Sequence, residues 1–223
     1  ANPTSAVVTN PTAGAYVKGT IWVNATATDA IGIKNVTFYR DASLPLGTAT
    51  TTPYGVQWAT AGLDGTHTLY VVAFDRASNS NTSATISITV DNTVPSSAKV
   101  TNPTAGAYVK GTIWVNATAT DAIGIKNVTF YRDASVLLGT ATTAPYAIQW
   151  STSGLDGAHT LYVRAYDYAN NYLDGATVAI TVDNTAPTSA VVTNPTAGAY
   201  VKGTIWINAT AADAIGVKNV TFY

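Results

Sequence analysis

The stretch that decides the fold is residues 10–43, NPTAGAYVKGTIWVNATATDAIGIKNVTFYRDAS, because the same 34 letters return unchanged at residues 102–135. The pattern starts a third time at Asn194, 92 residues after the second start. The 223-residue chain therefore holds two whole repeats and the first part of a third. Self-similarity at a fixed period is the signature of an array of structural units. An array favours a role in reach or surface over a role in catalysis.

Residues 20–28 of this stretch have the alternation of a half-buried strand. Apolar side chains occupy every second position, at Ile21, Val23, Ala25 and Ala27. The same alternation returns, with turn signals about ten residues apart, in segments 36–38, 54–58, 69–73 and 86–90. Several short strands in a unit of roughly 90 residues predict an all-β fold in which each repeat is a two-sheet antiparallel sandwich.

Two linkers mark the borders of these units. Residues 91–95 read DNTVP and residues 183–187 read DNTAP, and each linker directly follows a predicted strand. Because proline removes a backbone donor and fixes φ, we expect a stiff, extended exit from each unit. The predicted borders are 1–94 for domain 1, 95–187 for domain 2 and 188–223 for the first part of domain 3.

The third repeat is incomplete in this sequence. Residues 188–223 contain the equivalents of the first three strands but none of the later ones, so their apolar side chains lack an opposing sheet. Either the natural chain continues beyond Tyr223, or strands of another copy complete the sandwich by strand donation. We expect continuation in the gene, because the pattern stops without deviating from the internal repeat.

A family resemblance rests on four segments that follow one another in the second repeat: NPTAGAYVKGTIWVNATATDAIGIKNVTFYRD, LLGTATTAPYAIQW, GLDGAHTLYVRAYDYANN and ATVAITVDNTAP. This succession resembles the bacterial immunoglobulin-like repeat domains of adhesins, surface-layer proteins and secreted polysaccharide-degrading enzymes. The resemblance covers essentially the whole chain. It implies tandem immunoglobulin-like antiparallel β-sandwiches that work mostly as spacers or binding modules. At residues 168–171, YANN stands where the family usually has a glycine turn.

Composition excludes several classes of function. Charged residues make up 10% of the chain and the formal net charge is −1, whereas nucleic-acid binders carry a basic patch and anionic membranes attract polybasic segments. No apolar run approaches the length that spans a bilayer. We therefore expect no nucleic-acid partner and no membrane span in this segment. Low charge with abundant Thr and Asn favours an extracellular or cell-surface location.

Residues suited to catalysis are scarce. The two histidines, His67 and His159, are equivalent positions of two repeats, and the chain has no Cys or Glu to partner them. The acidic residues are all Asp and recur at predicted turns, where Asp commonly caps backbone groups. We predict that the segment is not an enzyme.

Aspartates near the linkers predict a calcium site. In an immunoglobulin-like sandwich, the loops that contain Asp121 and Asp167 lie at the end where the preceding domain enters, so both should approach Asp91 and Asn92. Carboxylate and amide oxygens with backbone carbonyls suit Ca²⁺. The DNTAP linker also resembles the calcium-binding junctions of cadherins and giant bacterial adhesins. The corresponding set at the second linker is Asp183, Asn184 and Asp213. The alternative is that these side chains only cap local backbone in Asx-turns.

Seven asparagines match the acceptor pattern for N-linked glycans. They are Asn24, Asn35, Asn81, Asn116, Asn127, Asn208 and Asn219. The repeats multiply two founding sites into six of the seven, so the count alone carries little weight. Use of these sites depends on the machinery of the organism.

One tryptophan of each repeat is predicted to point outward. Trp22, Trp114 and Trp206 alternate with the apolar positions, whereas Trp58 and Trp150 share a face with core residues. An exposed indole at the same place on every unit favours a contact with another chain or a glycan. The alternative is that the first strand of each repeat covers the indole.

The two whole repeats differ mainly in one loop, where RASNSNTS at residues 76–83 becomes YANNYLDG at 168–175. A loop that diverges on an unchanged scaffold is a natural place for binding. Together these observations predict an extracellular structural protein whose tandem Ig-like domains form a stalk, filament or surface-layer element and self-associate. The alternative is a spacer or carbohydrate-binding array of a secreted enzyme or adhesin.

Overall fold

The structure is a computed structural model that describes all 223 residues. It contains strands and no helix. The first repeat has β1 (Ser5–Asn10), β2 (Tyr16–Val17), β3 (Thr20–Thr28), β4 (Ile33–Arg40), β5 (Leu44–Ala49), β6 (Tyr54–Ala59), β7 (Gly65–Asp75), β8 (Ser80–Thr82) and β9 (Ile86–Val90). The second repeat has β10 (Ser97–Asn102), β11 (Tyr108–Val109), β12 (Thr112–Thr120), β13 (Ile125–Arg132), β14 (Val136–Ala141), β15 (Tyr146–Ser151), β16 (Gly157–Asp167), β17 (Tyr172–Asp174) and β18 (Val178–Val182). The third has β19 (Ser189–Asn194) and β20 (Asn208–Ala212).

The first repeat folds into two sheets. One sheet has three strands in the order β1-β3-β6, and the other has the order β2-β9-β7-β4-β5 with β8 also paired to β7. The described pairs are antiparallel except β2 with β9, which run parallel. This arrangement is the sandwich that the alternation predicts, and the predicted fold class is confirmed.

Side chains from both sheets of the first repeat meet in one core. Val23 on β3 and Trp58 on β6 belong to the same buried cluster as Phe38 on β4 and Val71 on β7, and none of the four is more than 4% exposed. Burial stabilises by about 1.5–3 kcal/mol for each large apolar side chain. The alternation of apolar and polar residues therefore predicts the strands, and burial of the apolar side chains stabilises the packing of the two sheets.

The second repeat has the same architecture. Its sheets have the orders β10-β12-β15 and β11-β18-β16-β13-β14, with β17 paired to β16. Val115, Phe130, Trp150 and Val163 take the places of the four core residues above and are at most 6% exposed. Val115 and Phe130 lie in the segment that is identical in both repeats, and Trp150 and Val163 keep the residue types of Trp58 and Val71, so the same packing occurs twice.

The third repeat contains a single pair of strands. Ser189 of β19 faces Ala212 of β20, in the register that pairs Ser5 with Thr28 in the first repeat. The expectation of three strands here is wrong, because no strand forms in residues 213–223. Phe222 is 49% exposed there, since no opposing sheet is present to bury it.

The chain divides into two compact units. The first comprises Ala1–Ser97, Ala119–Asn127 and Ala165–Leu173, and the second comprises Ala98–Thr118, Val128–Arg164 and Asp174–Tyr223. These borders cross strands of the second repeat, whereas the predicted domain borders follow the repeats and stay a prediction. The structure contains no helix with the length and apolar character that crossing a bilayer requires.

Candidate functional site

Three aspartates of the first unit come together in a group that we name the carboxylate triad: Asp91, Asp121 and Asp167. Each offers one oxygen, and these three oxygens lie within 4.8 Å of one another. Asp91 follows β9, Asp121 follows β12, and Asp167 is the last residue of β16. The structure therefore brings together three carboxylates that the sequence predicts will lie close to one another.

Asp121 is positioned by an Asx-turn. Its Oδ1 accepts hydrogen bonds from the backbone N–H groups of Ile123 and Gly124, both at 2.8 Å. Asp29, its equivalent in the first repeat, accepts the same pair of bonds through Oδ2. Gly124 has φ +134°, which a residue with a Cβ rarely adopts. The turn uses one oxygen of Asp121 and leaves the other for a further partner.

Asp167 is fully buried and is held by Asn171. Its Oδ1 accepts from the backbone N–H of Asn171 at 2.8 Å, and its Oδ2 accepts from Asn171 Nδ2 at 2.7 Å. The same Nδ2 group also donates to the backbone oxygen of Asp91 at 2.8 Å. Asn171 thus ties two members of the carboxylate triad to each other.

Asp91 is the member of the carboxylate triad whose side chain has an oxygen without a hydrogen-bond partner. It is 1% exposed, and its Oδ1 accepts one hydrogen bond, from the backbone N–H of Thr93 at 3.2 Å. Its Oδ2 is buried and has no hydrogen-bond partner. Buried carboxylate oxygens normally have a donor or a cation beside them, because an unpaired one is costly.

The electrostatics of the carboxylate triad are unfavourable without a cation. Burial raises the pKa of Asp91, and the nearby charges of Asp167, Asp121 and Asp64 raise it further, against one opposing hydrogen bond from Thr93. None of the ion pairs of the chain involves a member of the carboxylate triad. Like charges in a low-dielectric setting repel strongly unless a positive charge compensates them.

Asn92 has a different role from the predicted one. Its Oδ1 accepts from the Gly19 N–H at 2.7 Å and from Thr60 Oγ1 at 3.2 Å, and its Nδ2 donates to Asp64 Oδ1 and to the Thr60 backbone oxygen. Asn184 makes the equivalent set in the second repeat. Both lone pairs of the Asn92 amide oxygen accept hydrogen bonds. We therefore consider only the carboxylates as candidate calcium ligands.

The second linker offers part of the same arrangement. Asp183 is half-buried, with its Oδ1 buried and unpartnered, and Asp213 caps the N–H groups of Ile215 and Gly216. The position 92 residues after Asp167 lies beyond Tyr223, so these residues contain no counterpart of Asp167. Two carboxylates of the predicted set are therefore present at this linker.

The loop that diverges between the repeats is engaged with other residues of the first unit. Tyr168 stacks on Tyr16 with ring centroids 4.9 Å apart, and the backbone oxygen of Asn170 accepts a hydrogen bond from Lys18 Nζ at 2.6 Å. Tyr16 is 40% exposed, whereas its equivalent Tyr108 is 70% exposed. The sequence predicts a binding loop here, and in the structure this loop contacts other residues of the same chain. No local sequence pattern predicts a contact between residues that lie about 150 positions apart in the chain.

The three tryptophans predicted to point outward are exposed, Trp22 and Trp114 on β3 and β12 and Trp206 outside any strand. Trp22 and Trp114 are each 54% exposed and Trp206 is 84% exposed, whereas Trp58 and Trp150 are buried. Asn10 of the first strand donates to the backbone oxygen of Trp22 at 2.6 Å. The first strand thus fixes the backbone of Trp22 but leaves half of its side chain uncovered.

The seven predicted glycan acceptors differ in accessibility. Asn24, Asn35, Asn81, Asn116 and Asn127 are half-buried, and Asn208 and Asn219 are exposed. The side-chain oxygens of Asn35 and Asn127 are buried without a partner. Asn81 Nδ2, the atom that would carry a glycan, donates to the Pro3 backbone oxygen at 2.7 Å. Glycosylation stays a prediction for all seven.

Each histidine holds a turn of its own repeat. His67 Nδ1 lies 2.7 Å from Asp41 Oδ2, and its Nε2 lies 2.7 Å from the backbone oxygen of Leu63. His159 makes the same two contacts, with Asp133 and Leu155. Both nitrogens of each ring are occupied by neighbours within the repeat, which is typical of a structural histidine.

Solved structures with a similar fold are tandem modules. The fibronectin(III)-like modules of CbhA from Clostridium thermocellum are 25% identical, with 81% of this chain and 94% of that chain covered and a TM-score of 0.58. The FN1–FN3 domains of chicken CNTN1 are 13% identical, with 81% and 66% covered and a TM-score of 0.52. The second likeness concerns the fold alone. A comparison with curated proteins finds no match.

The sandwich fold and the repeated loops define a tandem array of immunoglobulin-like domains. The family described as bacterial Ig domain matches residues 5–71, 95–163 and 187–223, once in each repeat. The chain belongs to this family, as the resemblance implies. Such domains are usually structural or spacer modules of surface or secreted proteins, and they are typically non-catalytic.

Proposed function

We propose that this chain is a structural segment of an extracellular protein, in which tandem Ig-like domains form a stalk, filament or surface-layer element that associates with itself. The observation that carries the proposal is one indole exposed at the same place in each whole repeat, at Trp22 and Trp114. Large exposed aromatic side chains are enriched at contact surfaces, where burial of their area stabilises association.

The surface around these tryptophans supports association. The strands β1, β3 and β6 contain no charged residue, and their counterparts β10, β12 and β15 contain only Lys99. Sheets that must stay separate in water usually carry charges along their edges and outer faces. An uncharged sheet face with a protruding indole favours contact with a second copy.

Removing the three indoles tests the association. We expect Trp22→Ala, Trp114→Ala and Trp206→Ala combined in one chain to raise the apparent dissociation constant at least tenfold, about 1.4 kcal/mol, in sedimentation velocity. The unfolding temperature should change little, because Trp58 and Trp150 keep the cores filled. Leu137→Ala is the matched control, since Leu137 is apolar and 60% exposed but lies on β14 of the other sheet. Unchanged association together with a lower unfolding temperature would assign these tryptophans to the packing of each domain instead.

A second candidate function is glycan binding by a spacer array. Trp22 lies in an open groove with Thr9, Asn24 and Thr26, whose hydroxyl and amide groups suit the hydroxyls of a sugar ring stacked on the indole. Affinity electrophoresis in gels that contain soluble polysaccharides distinguishes the two functions. Retardation that Trp22→Ala abolishes, at concentrations where the chain is monomeric, favours glycan binding over self-association.

A further inference from the structure

We propose that the carboxylate triad of Asp91, Asp121 and Asp167 binds one Ca²⁺ ion and that this ion stabilises the first compact unit. The site joins loops that are remote in sequence, because Asp91 ends the first repeat whereas Asp121 and Asp167 belong to the second. Ion binding would therefore couple the folding of these loops to the surrounding calcium concentration.

The separation of the three carboxylate oxygens is close to what a calcium ion requires. Three points that lie within 4.8 Å of one another always have a common point within about 2.8 Å of each, slightly more than the 2.3–2.6 Å of calcium–oxygen bonds. A small movement of the side chains is enough to close this difference. Asp121 can make that movement most easily, because it is the half-buried member of the three.

The unpartnered oxygen of Asp91 also favours a bound cation. Its Oδ2 is inaccessible to solvent and receives no hydrogen bond, although Asp91 is almost completely buried. A purely structural Asx-turn would satisfy both oxygens or expose one to water. An unpaired anionic oxygen beside two further carboxylates is the arrangement that a cation completes.

The negative charge of the carboxylate triad favours a cation as well. The cluster carries three carboxylates, and no Lys, Arg or His forms an ion pair with any of them. Lys18 and Lys126 instead donate to the backbone oxygen and side-chain oxygen of Asn170. A divalent cation would compensate a repulsion that the chain itself leaves in place.

The donor set selects calcium among the common metal ions. All three donors are hard oxygens and none is His or Cys, which disfavours zinc. Magnesium requires near-octahedral oxygens at 2.0–2.1 Å, a tighter cage than this spacing gives, whereas calcium accepts irregular sets completed by carbonyls and water.

The first repeat supplies matched controls. Asp29 makes the same Asx-turn as Asp121, and Asp75 accepts the same two hydrogen bonds from Asn79 that Asp167 accepts from Asn171. This pair has no third carboxylate beside it, since the carboxylate triad is the group of three acidic residues that the structure brings together. Substitution of either residue removes the same local bonds but no calcium ligand.

The test measures calcium binding to the whole chain after treatment with chelator. Titration calorimetry with CaCl2 should give one ion per chain, with a dissociation constant between about 1 µM and 1 mM. Saturating calcium should raise the unfolding temperature of the first unit by several degrees. Asp121→Asn and Asp167→Asn should each abolish binding and this shift, whereas Asp29→Asn and Asp75→Asn should keep both.

Three results would overturn the proposal. The first is absence of heat and of stabilisation by calcium, and the second is equal stabilisation by MgCl2 at the same concentration. The third is equal loss of calcium binding in Asp29→Asn and Asp121→Asn, which would place the ion elsewhere. Binding and unfolding are measured on dilute monomer, so failure of this proposal leaves the association of the chain untouched.

Discussion

At the scale of single residues, the charged side chains outside the carboxylate triad mainly hold turns. Asp41 lies in the left-handed region with φ 48°, and its carboxylate accepts from His67, Arg40 and the backbone N–H of Thr68. Burial alone would raise the pKa of Asp41, but hydrogen bonds from His67, Thr68 and Arg40 outweigh it and hold the pKa below its usual value. Asp133 repeats this arrangement in the second repeat.

The lowered pKa predicts loss of stability in acid. A carboxyl group whose pKa is lower in the folded state stabilises above the pKa of the unfolded chain, and the stabilisation is lost as the pH falls through the folded value, below about pH 4. Asp41→Asn should therefore lower the free energy of unfolding at pH 7 by about 1–2 kcal/mol, reduced by the partial exposure of the site, and by less at pH 2. Asparagine tolerates the left-handed conformation, so the change tests the charge and its hydrogen bonds.

Urea unfolding of the variant and the natural chain at the two pH values measures this effect. Asp133→Asn serves as an independent repeat of the experiment, because its contacts are the same. A loss of equal size at pH 2 and pH 7 would mean that the carboxylate charge does not contribute.

At the scale of elements, the sequence predicts the strands that alternate and misses those that do not. β3 and β7 carry a clear period of two, because each buries one face in the core. β5 contains Pro45 and Gly47 beside a register shift, and β2 and β8 are only two and three residues long. Strands this short, or broken by a bulge, have too few positions for the period to appear.

The candidate site could be predicted only in part for a related reason. Loop order in an Ig-like sandwich is enough to bring Asp121 and Asp167 towards Asp91, because the fold fixes which loops share an end. The roles of individual polar atoms depend on local geometry that loop order does not determine. Asn92 follows Asp91 directly, yet its amide points to Gly19 and Thr60. The unpartnered oxygen of Asp91 likewise has no signal in the sequence.

Asn92 predicts an effect on stability at this scale. It follows β9, and its side chain links the residue before β3 to the turn that precedes β7, through four hydrogen bonds. Asn92→Ala should lower the free energy of unfolding by about 2–4 kcal/mol, because each lost bond contributes about 1 kcal/mol and the partner Thr60 is buried. Calorimetric unfolding measures the loss. Asn184→Ala should destabilise the second repeat equally, and a change below about 0.5 kcal/mol in both would contradict the role of this amide.

At the scale of the whole molecule, near-identical repeats present an equivalent surface in each repeat. Residues 10–43 and 102–135 are identical, whereas the loop at 168–175 differs from its counterpart at 76–83. Tyr168, which stands in place of Arg76, stacks on Tyr16. An outward indole on a sheet with at most one charged residue recurs in each whole repeat, and this repetition strengthens a weak contact, since each additional repeat adds a further binding point at high effective concentration. The proposed assembly follows from that repetition.

The most direct test of this account is electron cryomicroscopy of the material as its source produces it. We expect ordered filaments or layers in which Trp22 and Trp114 are buried against another copy of the chain. Isolated, unassociated chains at the natural concentration, with both indoles facing solvent, would contradict the proposal that self-association is the function of this segment.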